Sequence, residues 1–150
     1  MKYEVYDNLR IGHNFEISEF KSIGKNGPFL KRIKFVDMGI DNVVNLLFGD
    51  VDQDNEINDR SITNNDDRDK ILATVAKVIE IYTYAYPDRW VYFCGSTKER
   101  TRLYRMAIGL NLNELIERFE IFVETEDQEG IIEFEKNVKA SSFLIKRKIN

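Results

Sequence analysis

Six apolar residues, Ile71, Leu72, Val75, Val78, Ile79 and Tyr82, recur at helical spacing midway along the chain, while Lys70, Lys77 and Glu80 fall off that stripe. The spacing predicts an amphipathic helix from about Asp69 to Tyr86, roughly 27 Å long. Asn64 or Asn65 is placed to cap it, Asp66, Asp67 and Asp69 suit the positive end of its dipole, and Pro87 stops it. A helix with one apolar face must bury that face, and everything ahead of it reads as strand. "KYEVYD", "NFEISEF" and "FLKRIKFVDM" are short β-branched and aromatic runs separated by "IGH" and the turn-prone "GKNGP". "NVVNLLFGDV" and "NDRSITN" read as two further strands flanking an acidic tip.

After the helix, "RWVYFC" is apolar on both faces, as an interior strand is. Gly95 leads into a second helix, "STKERTRLYRMAIG", and "NLNELIERF" into a short third one. "FEIFVET" and "IIEFEKN" then form a hairpin about "EDQEG", and "SSFLIKRKIN" is either a last strand or a loose basic end over 139–150. The expected fold is α+β: a mostly antiparallel sheet with one long and one or two shorter helices packed on it. No repeat or Pro/Gly-rich linker divides residues 1–150, so a single domain is expected.

An apolar fraction of 43% suits a packed globular chain of 150 residues. The opening "MKYEVYDNLR" has no apolar run, no stretch is long enough to span a bilayer, and Cys94 is the sole cysteine. These features point to the reducing cytoplasm and away from membranes. The net charge of −4 conceals blocks. Lys21, Lys25, Lys31, Arg32 and Lys34 form a run without acids, 50–69 and 114–135 are acidic, and 139–150 carries only positive charge. Such blocks are ordinarily solvated surface, although a local basic face on an acidic protein can hold a polyanion.

In "GDVDQDNEIND", Asp50, Asp52 and Asp54 stand where a calcium loop has its first, third and fifth ligands, and Ile57 fits the apolar eighth position. Asn55 replaces the glycine of the sharp turn, and Ser61 replaces the bidentate Glu. Along an extended hairpin tip, alternating carboxylates simply face water. His13 is the only histidine, so no His-based metal cluster or Ser-His-Asp triad can be assembled around other histidines, and no cofactor is expected.

"FCGSTKERTRLYR" is the most informative segment. A strand that turns through Gly95 into a helix presents free N–H groups and a positive dipole end to an anion. Ser96, Thr97, Lys98, Arg100, Arg102 and Arg105 surround that corner. A nucleotide, a nucleic acid or an acidic protein would suit it. A purely structural reading uses the same residues: Ser96 and Glu99 as a capping box, with Leu103, Met106, Ala107 and Leu110 as the buried stripe. Tyr82, Tyr84, Tyr86 and Tyr104 are aromatics that could stack on single-stranded nucleic acid, and Trp90 reads as a core anchor.

Three resemblances attach to these residues. Cys94, Arg100 and Thr101 reproduce the Cys-x5-Arg-Ser/Thr spacing of the cysteine phosphatases, which would make Cys94 a nucleophile, although Phe93, Thr97 and Glu99 depart from that family's loop. The order hairpin, long helix, strand, helix, two strands is similar to the C-terminal half of the GNAT acyltransferases. "ERTRLYRMAIG" looks like their helix with a "LY…G" pattern, and Tyr104 would inherit the general-acid role; the glycine-containing pyrophosphate loop of that family is missing from "NNDDRDKILAT". Lastly, "GSTKERTRLYR", preceded by "ITNNDDRDKILATVAKVIEIY" and "YPDRWVYF", resembles a family of short bacterial proteins of unknown function, found largely in Bacteroidetes. That last resemblance implies a kind of protein and no reaction.

Overall fold

The computed structural model describes residues 3–59 and 65–149. In chain order the elements are β1 (Arg10–Ile11), β2 (Ile17–Gly24), β3 (Gly27–Asp37), β4 (Val43–Val51), β5 (Ile57–Asn58), α1 (Arg68–Ala85) and β6 (Trp90–Phe93), followed by α2 (Lys98–Leu110), α3 (Leu112–Leu115), β7 (Phe119–Thr125), β8 (Ile131–Glu133) and β9 (Ala140–Arg147). The fold is α+β, as the sequence predicts. Strand order is β1-β2-β3-β4-β6-β9-β7-β8, with β5 pairing β4. The sheet is mostly antiparallel, but β4 and β6 run parallel. Parallel neighbours need a long crossover, which α1 supplies. The chain divides into two compact units, one of Met1–Val36 with Leu46–Ala85, the other of Asp37–Asn45 with Tyr86–Asn150.

In the first unit, Phe20, Ile33, Phe35 and Leu46 of the strands are buried with Ala73, Val78, Ile79 and Tyr82 of α1. The rings of Phe35 and Tyr82 stack at 3.8 Å, and Tyr6 and Phe20 at 5.5 Å. The buried face of α1 is turned from the expected stripe: Thr74 and Thr83 are fully buried, while Ile71, Leu72 and Val75 are only half-buried. Each threonine hydroxyl donates back to the carbonyl four residues earlier, Lys70 O and Ile79 O, both at 2.8 Å. With the hydroxyl satisfied, the methyl packs like valine, which hydropathy alone does not register.

"KYEVYD" does not form the expected strand. Tyr6 donates its amide to Thr74 Oγ1 at 2.9 Å, and the Asn8 side chain brackets Lys21, donating to its carbonyl (3.1 Å) and accepting from its amide (2.8 Å). A side-chain amide thus takes the place of a strand rung. Most of "NDRSITN" lies outside the described residues, as does Asn64; Ile57 and Asn58 alone form β5.

In the second unit, β9 lies between β6 and β7. Val91 pairs Ile145, which pairs Ile121 across the next strand, and Phe93, Phe143 and Val123 repeat the pattern one row on. All six are buried. The tail is therefore a central strand, and its positive charges diverge: Arg147 lies over the Phe119 ring, while Lys146 approaches Trp90. Helix α2 packs on β9.

Candidate functional site

β6 ends at Phe93, Cys94 is exposed, and the chain folds through Gly95 into α2. A Cβ at Gly95 would fall 2.4 Å from Thr101 N and 2.7 Å from the Arg100 carbonyl carbon, so the helix start lies directly against its Cα. The cap is Thr97, not Ser96. Its extended backbone (φ −133°, ψ 163°) and its Oγ1, which accepts from Arg100 N at 3.2 Å, open the helix. This corrects the expected capping box, because the third helical position belongs to Arg100, and Glu99 makes no bond back to the cap among the described residues.

Thr101, only 8% exposed, ties the corner together. Its Oγ1 accepts from Gly95 N at 3.0 Å and donates to Thr97 O at 3.2 Å. Arg100 folds back, with Nη1 donating to Ser96 Oγ at 2.8 Å. The amides of Gly95, Arg100 and Thr101 are therefore engaged internally, the last with Thr97 O at 3.1 Å. Those of Lys98 and Glu99 make no hydrogen bond among the described residues.

Lys98 and Arg102 are exposed, Arg105 is half-buried, and none of the three makes an ion pair among the described residues. In the basic run from Lys21 to Lys34, by contrast, three of the five cations meet acids. Lys25 meets Asp66 at 3.1 Å, buried Lys31 meets Asp50, and Arg32 meets Glu19 at 2.7 Å. The expected buried stripe of α2 is also displaced. Thr101 and Ile108 are buried, whereas Met106 is 44% and Leu110 73% exposed.

Tyr104 is half-buried with its ring edge-on to Phe93, centroids 5.9 Å apart. Cys94 lies near Tyr92 in a grouping the sequence hides. Ser142 donates to Glu124 Oε1 at 2.6 Å, and the Tyr92 hydroxyl bonds to the same pair. Burial pushes the Tyr92 phenol up; the Ser142 hydrogen bond opposes this, and the Glu124 charge adds to it. Alternation along β6 puts residues 92 and 94 on one side, but β7 and β9 are brought alongside only by strand order.

At the acidic tip the three aspartates do different things. Asp50 turns to Lys31, and Asp52 Oδ1 accepts from the amides of Asp54 (2.9 Å) and Glu56 (3.0 Å). Asn55 adopts the left-handed conformation (φ 61°) that the missing glycine would have supplied, and Arg32 grips its carbonyl at 2.8 Å and its Oδ1 at 2.7 Å. No group of three His, Cys, Asp or Glu side chains gathers to hold a metal among the described residues; Ser61 lies outside them.

A second hidden constellation lies at the approach to α1. Asp67 Oδ2 accepts from the hydroxyls of both Tyr6 and Ser22. Asn65, expected as a cap, is instead buried, donating to Gly27 O at 2.8 Å and Ser22 Oγ at 3.1 Å and accepting from Asn26 N at 2.8 Å. Burial, then the Asp67 hydrogen bond, pushes the Tyr6 phenol up.

These features define an α+β protein in which Lys98 and Arg102 near the start of α2 make no ion pair, and no metal-holding group of His, Cys, Asp or Glu is assembled, among the described residues. The chain belongs to the family described as "Family of unknown function (DUF6934)", whose model matches residues 2–148. No curated protein and no solved structure matches it. No helix among the described residues is long and apolar enough to cross a membrane.

Proposed function

We propose that this protein is a cytoplasmic binding module whose ligand carries phosphate or carboxylate groups and docks where β6 turns into α2. The carrying observation is that Lys98, Arg102 and Arg105 have no acidic partner among the described residues, in a chain with 26 acids to 22 bases. Lys98 and Arg102 are one helical turn apart, and the amides of Lys98 and Glu99 add donors at the positive end of the dipole. Ser96 and Arg100, bonded to each other, and the cap Thr97 form the floor. A nucleotide or single-stranded nucleic acid supplies the matching charge.

The test is a titration of a nucleoside triphosphate and of a single-stranded oligonucleotide by fluorescence anisotropy. Two charge-assisted contacts are worth about 1.5–3 kcal/mol each, so Arg102→Glu with Arg105→Glu is expected to weaken binding on the order of a hundredfold or more. Wild-type protein that binds neither probe, or a double variant that binds as well, removes the reading.

A rival reading, an enzyme, draws on the observed element order. The parallel β4–β6 pair joined through α1, followed by α2 and β7, is the observation that supports reading the chain as GNAT-like in element order. Tyr104 would be the acid there; in a phosphoryl-transfer version, exposed Cys94 would be the nucleophile. Coenzyme A raising the melting temperature, or Cys94 alkylating rapidly near neutral pH, favours this rival over the binding module.

A further inference from the structure

We propose that the anion site at the β6–α2 corner continues along α2 as far as Lys136, forming a straight cationic track that takes a single-stranded nucleic acid in preference to a lone nucleotide. The track rests on the reading of that corner as an anion site and extends it from a point to a line. At about 100° per residue, Lys98, Arg102, Arg105 and Gly109 fall within a sector of about 60°, on one flank of the buried Thr101 and Ile108. Glu99 lies outside that sector, on the side of Met106. From Lys98 to Gly109 the helix rises about 16 Å.

Gly109 has no side chain to prolong the row, and another element supplies the next cation. A Cβ on Gly109 would stand 3.8 Å from Lys136 Cγ, so the lysine stem lies against the helix one turn beyond Arg105. Lys136 sits in a turn closed by Val138 N donating to Glu135 O at 3.0 Å. Phe134, buried and donating its amide to Ile121 O at 2.9 Å, fastens that turn to β7. Lys136 is exposed and, like Lys98, Arg102 and Arg105, makes no ion pair among the described residues, not even with adjoining Glu135. A chain of net charge −4 thus lines up four unpaired cations across two elements.

Spacing and composition select the ligand. Neighbours in the row on α2 are three or four residues apart, about 4.5–6 Å of rise, which is comparable to the separation of consecutive phosphates on an extended strand. A mononucleotide cannot span the row, and the phosphates of a duplex wind away from a straight line. The sector carries no apolar side chain, which a protein partner would need at the centre of its interface, whereas a phosphate backbone needs only cations. Tyr104 falls on the other flank of the buried face, edge-on to Phe93. With no ring on the track to stack a base, the strand is gripped through its backbone and read without base preference.

Anisotropy titrations of a thymidine dodecamer over a range of salt test the track on the intact chain. Four phosphate contacts set a log–log salt slope of about −2.8, a loss of affinity on the order of fiftyfold between about 50 and about 200 mM salt. Lys136→Gln is expected to reduce the slope to about −2.1, and an adenosine dodecamer to bind like the thymidine one. If the wild-type chain binds a nucleoside triphosphate but its dodecamer slope is the same with and without Lys136, the track falls and the corner stands; if it binds neither probe, both fall. A duplex of the same length that binds as tightly overturns the single-stranded assignment. Poly-glutamate competing as well as the dodecamer overturns the nucleic-acid assignment in favour of an acidic protein.

Discussion

Gly95 shows why a single residue can fix a corner without any unusual backbone. Its requirement is space, because the Thr101 amide and the Arg100 carbonyl carbon occupy the room a Cβ would need. Gly95→Ala must push the start of α2 outward, which costs about 2 kcal/mol by the usual measure of overpacking. Thr101→Val leaves the Gly95 amide without its acceptor and is expected to cost about 1–3 kcal/mol. Urea midpoints check both. A variant of Gly95 as stable as wild type would mean that the helix start yields freely. "FCGST" made the strand–helix turn legible; that Thr97, not Ser96, caps it was not, because both hydroxyls precede the helix and only backbone geometry chooses between them.

At the scale of elements, the β2–β3 turn is held to the approach of α1 by one buried amide. Asn65 bridges Ser22, Asn26 and Gly27, and Gly24 has no room for a side chain because Asn65 O would lie 2.2 Å from its Cβ. Asn65→Ala abandons buried partners in that turn and is expected to cost about 2–4 kcal/mol. Amide exchange should show 24–27 opening before the rest of β2 and β3; uniform protection would contradict the bridging role. The limits of sequence reading are plain here. Apolar, β-branched and aromatic runs between turn signals found β2, β3, β4, β6 and β7, and periodicity found α1 within a residue at each end. It misplaced the buried faces of both long helices, because Thr74, Thr83 and Thr101 spend their hydroxyls locally and enter the core as if apolar. It also read Asn65 as a cap, since nothing local reveals that a hairpin some forty residues earlier consumes its side chain. The cationic corner was legible as a list of residues; that Arg100 turns to Ser96 while Lys98, Arg102 and Arg105 meet no acid among the described residues was not.

For the whole molecule, two tyrosines set the alkaline limit. Burial raises the phenols of both Tyr6 and Tyr92 above their ordinary 10.0, so on raising the pH the unfolded chain releases these protons first. Their contribution to stability is complete below pH 10.0 and drains away as pH climbs from there through the folded-state values. Denaturant midpoints are expected to hold up to about pH 10 and fall beyond it, with Tyr6→Phe and Tyr92→Phe each flattening the fall. A midpoint that rises in that range would reverse the sign and refute the assignment.

The place of β9 bears on how this chain is made. β6 and β7 leave the ribosome before the segment that pairs with both of them, so until Arg147 has emerged each waits with a row of bare amides and carbonyls. Nascent chains halted anywhere between Thr125 and Ala140 should therefore stick to neighbours or recruit holdase chaperones, and release through the final strand should end that vulnerability at one stroke.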